Sequence, residues 1–333
     1  MNHRKLSWKK ALQLLIMAVL VYAVILIGLR IAGDKLDGKS SAPVYGDISG
    51  RFLSKITKNY NGKDYHYREK QLVNILLIGI DSVELNFQES GRFGDQADFM
   101  LLLSIDKRNK RILPIHIDRD TMTKIQIYGA FGDPAGTRTT QLCLAQAFGD
   151  TEEGSMNTVS AVSNLLSGIP IDYYLTLDMN GITVLNDALG GVTVTLDDDF
   201  SHIDPEMKKG STIRLHGEQA EIFVRHRRDV SDGTNASRMR RQRVYMDSAL
   251  SVLLDKMSTD LEFVGSLYDT LQPELTTNMD RGFFINEAYG YAKYSCEDIV
   301  TLAGTHTVGA DGFMEFYPDP QALDAFVIGS FFE

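Results

Sequence analysis

The stretch DFMLLLSIDKRNKRILPIHIDRDT, Asp98 to Thr121, does most to limit the folds open to this chain. Two apolar runs flank a polar turn from Asp106 to Lys110, which predicts an antiparallel hairpin with largely buried strands. Pro114 cannot donate to a ladder, so the second strand takes an edge position or a bulge there. With the turn centred between Arg108 and Asn109, Asp98 stands opposite Arg119, their α-carbons about 5 Å apart. Asp120 follows at the same open end. As a structural feature the pair is a surface ion bridge fixing the hairpin mouth. As a functional one it begins a charged site.

The flanking segments alternate in type. VNILLIGID, ending at Asp81, is a continuous apolar run and reads as a buried strand. NTVSAVSNLLSGI has helical spacing, with Val159, Val162, Leu165 and Leu166 on one face and Gly168 as the stop. DYYLTLD reads as a strand, NGITVLNDALGG as a helix closed by a glycine pair, and VTVTL as another strand. A long helix starts at Asn235, with Met239, Met246, Leu250, Leu253 and Met257 sharing a face. The pattern predicts one α/β domain built on a mostly buried mixed sheet.

The charge is unevenly spread. The net charge is −10, which argues against a general nucleic-acid binder. Yet seven arginines lie between Arg225 and Arg243. If their segment is extended, Arg225 and Arg227 point the same way. Arg238, Arg241, Gln242 and Tyr245 share one helical face, Thr234 or Asn235 caps that helix, and its first turn offers unpaired N–H groups. Guanidinium groups suit phosphate oxygens, so a diphosphate is the natural guest. Otherwise the segment is a solvated basic helix neutralised by acids, the reading given to Arg240 and Arg243. Asp81 and Asp98, at neighbouring strand ends, could hold Mg²⁺ or Mn²⁺ on such a phosphate. Cys143 and Cys296 have no zinc-site spacing and read as buried thiols.

From Ala11 to Leu29 the chain has no charged residue. Nineteen helical residues span about 28 Å, close to the hydrocarbon thickness of a bilayer. Arg4, Lys5, Lys9 and Lys10 precede the segment, which puts the N-terminus in the cytoplasm and the rest outside. The expected layout is a cytoplasmic stretch at 1–10, a single transmembrane helix at 11–32, an extracellular tether at 33–72 and a catalytic domain at 73–333. GDKLDGKS, from Gly33 to Ser40, fits the phosphate-loop pattern by letter only. It lacks the strand before and the helix after, and Asp34 and Asp37 would repel phosphate.

Taken in order, NILLIGIDS, GDQADFMLLLSIDKRNKRILPIHIDRDTMTKI, SGIPIDYYLTLDMNGITVLNDALGGVTVTL, GEQAEIFVRHRRD and ASRMRRQR resemble the LytR-CpsA-Psr (LCP) proteins of bacterial envelopes. The C-terminal LAGTHTVGADGFMEFYPD resembles that family's closing segment. The resemblance implies a three-layer α/β/α domain that holds a polyprenyl pyrophosphate. It also implies transfer of a glycopolymer from undecaprenyl pyrophosphate to a peptidoglycan hydroxyl, leaving a phosphodiester link. By position, Asp81 and Asp98 match the magnesium-binding acids. Arg119, Arg225, Arg227, Arg238 and Gln242 match the pyrophosphate-binding groups, and Arg119, Asp98 and Arg227 are the catalytic candidates. The chain departs from the family at Gln96-Ala97, where Arg-Ser is common. It departs again at Asn235, where an acid is common and Asp232 is the stand-in. A second expectation, motivated by those departures, is a protein that binds polyprenyl pyrophosphate without turning it over.

Overall fold

The computed structural model describes residues 56–80, 95–129, 133–178, 180–226, 230, 235–260, 262–279, 291 and 294–333. The apolar segment Ala11–Leu29, Asp81 and Arg227 lie outside them, as does the side chain of Arg238. Among the described residues, no helix is long and apolar enough to cross a membrane. Where one domain is expected, the chain forms two compact units. One comprises Ala32–Thr176, Thr276–Asn278 and Ile299–Glu333, and the other includes Leu177–Leu275 and Met279–Asp298.

The first unit opens with a small hairpin, β1 (Thr57–Tyr60) and β2 (Lys63–His66). This corrects the expected tether, which was to run to residue 72. The polar letters of this stretch hide Ile56, Tyr60, Tyr65 and Tyr67, all of which pack on the core. The long strands follow as β3 (Leu72–Ile80), β4 (Ala97–Asp106) and β5 (Arg111–Ile117). β4 pairs antiparallel with both neighbours, Met100 lying opposite Ile117 and Asp106 opposite Arg111. This is the register predicted from the turn. β5 runs through Pro114 without a register shift and pairs on its other side with Val300 and Thr301, so neither the expected bulge nor the expected edge position is found at Pro114.

Next come a two-stranded ribbon, β6 (Met122–Tyr128) with β7 (Pro134–Gln141), and a 3-10 turn at Leu142–Ala147. Helix α1 (Thr151–Leu165) begins at Asp150, whose side chain accepts from the Glu153 backbone while Glu153 reaches back, a reciprocal capping box. Gly168, at φ 77°, follows its end and donates to the Ser163 carbonyl, as the predicted stop requires. β8 (Tyr173–Asp178) lies beside β3, and β11 (Leu275–Thr277) beside β8. β13 (Val300–Thr301) pairs parallel with β5, so the sheet is mixed. β14 (Gly304–Val308) and β15 (Met314–Pro318) form a further hairpin, and α6 (Pro320–Phe331) closes the unit.

Leu76, Ile78, Met100, Leu102, Ile115 and Ile117 from one sheet face form a core with Val162 and Leu166 at the end of α1 and Val327 and Phe331 of α6. Each such buried side chain contributes about 1.5–3 kcal/mol. Ile75, Leu77, Leu101, Leu103 and Ile105 alternate with them and are buried too, so both faces of the central strands are covered. Asn74 interrupts this apolar run at no exposure. Its Nδ2 is satisfied by donating to the Tyr67 hydroxyl at 2.8 Å and the Pro170 carbonyl at 2.7 Å, while its Oδ1 is buried without a hydrogen-bond partner.

The second unit contains α2 (Asn180–Ala188), closed by Gly190 and Gly191 at φ 79° and 92°, as the glycine pair predicts. A Cβ on Gly191 would stand 2.8 Å from the Leu215 carbonyl oxygen. β9 (Val192–Thr195) and β10 (Thr212–Leu215) are antiparallel. α3 (Gln219–Arg225), the long α4 (Asn235–Thr259), α5 (Phe263–Leu271) and β12 (Ser295–Cys296) complete the elements used below. Phe200 and Phe223, 5.9 Å apart, are the largest fully buried side chains of this unit.

Candidate functional site

The bulge that shapes the first unit's polar end lies in β4. Gly79 pairs with Phe99 and Ile80 with Ala97, so Asp98 is the extra residue, opposite nothing on β3. Bulges re-aim side chains in this way, and a Cβ on Gly79 would come 3.1 Å from that of Phe99. Two positions past the last β4–β5 pair, Asp98 and Arg119 meet as an ion pair, their side chains about a fifth to a quarter exposed. The predicted juxtaposition is therefore present.

Arg119 sits in a tightly pinned turn. The Asp120 N–H donates to Asp118 Oδ1 at 2.9 Å, and Thr121 Oγ1 donates to the Asp118 carbonyl at 2.6 Å. The Cys143 N–H donates to the Arg119 carbonyl at 3.0 Å, and the Phe316 N–H to the Asp120 carbonyl at 2.8 Å. His306 Nε2 lies 2.8 Å from Asp118 Oδ2, with its ring 4.7 Å from that of Phe316. The C-terminal hairpin thus buttresses the turn.

Four acceptors surround the guanidinium. Nη1 faces Asp98, Nη2 donates to Gln96 Oε1 at 2.7 Å and to Cys143 Sγ at 3.4 Å, and Nε lies 3.6 Å from Asp120 Oδ1. Burial pushes the Cys143 thiol up, an effect the Arg119 charge opposes, so this cysteine stays a neutral weak acceptor. Cys143 and Cys296 are both free, the first buried as expected and the second only partly so. Gln96 was noted in the sequence only as a departure. Its role and that of Cys143 depend on contacts that spacing does not reveal.

The arginine segment differs from expectation in three places. Arg225 is not on an extended segment. It ends α3, because Ala220, Phe223 and Val224 are buried at helical spacing, and its Nη1 pairs with Glu221 at 2.6 Å. Alternation therefore does not relate it to Arg227. Second, Arg241 does not share an open anion-binding face. It is 3% exposed, its Nη1 lies 3.0 Å from Asp198, its Nε donates to the Phe223 carbonyl at 3.0 Å and its Nη2 donates to the His226 carbonyl. Tyr245 is buried on the same side. Third, Gln242 is half-buried and its amide donates to the Val224 carbonyl at 3.2 Å. Arg240 and Arg243 are exposed, as read from the sequence. Asp81 and Arg227 lie outside the described residues, as does the Arg238 side chain.

Among the described residues, no three His, Cys, Asp or Glu side chains cluster closely enough to hold a metal. Asp98 Oδ1 is buried and faces the Arg119 guanidinium as its ion-pair partner.

The first unit is thus a mixed α/β fold with an ion-paired arginine at the polar end of its central sheet. The chain belongs to the LytR_cpsA_psr family, whose model matches residues 48–326. It is 27% identical over 314 residues to the polyisoprenyl-teichoic acid–peptidoglycan teichoic acid transferase TagU of Bacillus anthracis, covering 92% of this chain and 94% of that one. It is 28% identical over 275 residues to biofilm regulatory protein A of Streptococcus mutans, covering 79% and 63%. Among solved structures, B. subtilis TagV matches at 24% identity and a TM-score of 0.54, covering 78% and 96%. TagT bound to LIIa-WTA matches at 22% and 0.54, covering 78% and 89%. These structural likenesses show the fold.

Proposed function

We propose that this chain is a membrane-anchored transferase of the bacterial envelope, with the three-layer α/β/α arrangement of its family. It moves a glycopolymer from undecaprenyl pyrophosphate to a peptidoglycan hydroxyl. The observation that carries this reading is Arg119 held against Asp98 at the hairpin mouth, in a chain whose family match runs over residues 48–326. The name of TagU, a teichoic acid transferase to peptidoglycan, supports the substrate class.

In the reaction, the acceptor hydroxyl oxygen attacks the sugar-proximal phosphorus. A new P–O bond forms, the bridging P–O bond breaks, and lipid monophosphate leaves while the hydroxyl proton passes to a base. Arg119 stabilises charge growing on the phosphoryl oxygens. Arg225, Arg227, Arg238 and Gln242 are assigned to the pyrophosphate by the resemblance. Asp81 and Asp98 would hold Mg²⁺ or Mn²⁺, which when bound would neutralise phosphate charge. Asp98 and Asp120, both paired with Arg119, are the candidates for that base by position.

The test uses the full chain in detergent with a labelled lipid-linked glycopolymer and wall fragments. Arg119→Ala and Arg227→Ala should each abolish transfer without changing thermal stability. Chelation should stop the reaction, and Mg²⁺ or Mn²⁺ should restore it. Near-normal transfer by both variants would reject the assignment. Tight donor binding by the wild type with no product would favour the non-catalytic reading, which the departures at Gln96-Ala97 and Asn235 motivate.

A further inference from the structure

We infer that Gln96 is a positioning residue that fixes the Arg119 guanidinium without adding a further negative charge beside it, which would repel a phosphate. This rests on the role proposed for Arg119. The two carboxylates beside that guanidinium, Asp98 at Nη1 and Asp120 near Nε, already match or exceed its single charge. A third would leave little attraction for an anion. The Nη2 edge is held instead by two uncharged acceptors, Gln96 Oε1 at 2.7 Å and the buried Cys143 sulfur at 3.4 Å. Both N–H bonds of Nη2 are thereby directed, and the plane of the guanidinium is set by contacts at each of its three nitrogens.

Position matters as much as chemistry. Gln96 lies two residues before Asp98, the extra residue of the β4 bulge, so the same local distortion brings both side chains to the arginine. The carbonyl end of an amide is the group suited to this place. It accepts a hydrogen bond as a carboxylate does, yet adds no formal charge. A basic side chain here could not accept from Arg119 and would face it as a like charge.

The probe is inorganic pyrophosphate, titrated calorimetrically into the full chain in detergent, with thermal unfolding measured in parallel. Gln96→Ala should weaken binding about three- to tenfold, the worth of one neutral hydrogen bond. Gln96→Glu, nearly the same shape, should weaken it about tenfold or more through the added charge, while its melting temperature holds or rises. A side chain that merely fills space gives the reverse order, with Gln96→Glu near wild type and Gln96→Ala worst in both binding and stability. That order, or unchanged affinity in both variants, would overturn the inference. Arg119→Ala is the control. If it loses binding while the Gln96 variants do not, only the Gln96 inference falls. If it binds as wild type, the role of Arg119 falls and takes the Gln96 inference with it.

Discussion

Arg241→Ala tests whether the arginine-rich helix is held by one of its own arginines. Arg241 and Asp198 have side chains 3% and 7% exposed, 3.0 Å apart. Arg241 also donates to the carbonyls of Phe223 and His226 and lies over the Phe200 ring at 5.5 Å. Truncation leaves the Asp198 carboxylate buried without its cation and two carbonyls without donors. Removing one partner of such a pair costs about 3–5 kcal/mol. At about 2–4 °C per kcal/mol for a chain of this size, the melting temperature should fall by about 6–20 °C. Because most of the cost is the stranded carboxylate, the double variant Arg241→Met/Asp198→Leu should be less destabilised than the sum of its singles. The expected coupling is about 1–3 kcal/mol. Denaturation followed by far-ultraviolet circular dichroism measures the wild type, Arg241→Ala, Arg241→Met, Asp198→Leu and the double variant. A single variant within about 1 kcal/mol of wild type, or strict additivity, would refute the reasoning.

Other consequences are as direct. Burial by itself raises the Asp106 carboxyl, but two hydrogen bonds from Asn109 and the Arg68 charge outweigh it and hold the group below the usual carboxylate range. Its stabilisation is thus present above the unfolded value of about 3.9 and is lost as pH falls through the lower folded value. Asp106→Asn should cost about 1–3 kcal/mol near neutrality, and its gap to wild type should close on acidification in parallel denaturation curves. Gly154→Ala would drive a Cβ into the Gln146 backbone carbonyl, a clash of about 1–3 kcal/mol that exceeds the roughly 1 kcal/mol gained in helix propensity, readable as a lower melting temperature. Arg119→Lys keeps the charge but cannot meet Asp98, Gln96, Cys143 and Asp120 together, so single-turnover transfer should fall about a hundredfold.

The long apolar elements were legible because their periods are strict. The β4–β5 register followed from one short polar turn, whose centre fixes which residues stand opposite each other. The helices ending at Gly168 and at Gly190–Gly191 were readable from their stop residues. Short or polar elements were not. The helical form of α3 was not legible, although Ala220, Phe223 and Val224 have helical spacing, because seven residues are too few for periodicity to decide. The β6–β7 ribbon gave little signal, since β7 is threonine-rich and exposed along most of its length. Asp150 and Glu153 did carry a capping signature that would have moved the start of α1 back to Thr151.

What the chain order determined alone is the set of buried strands, the pairing that brings Asp98 to Arg119, and membership of a family with a known kind of chemistry. Those rest on local periodicity and on residues a few turns apart. Which arginines serve structure was decided only in three dimensions. Arg241 and Arg119 look alike as letters, yet one is sealed beside Asp198 and the other stands partly open among four acceptors. Burial and partner geometry depend on segments far apart in the chain, and a guanidinium takes its role from them.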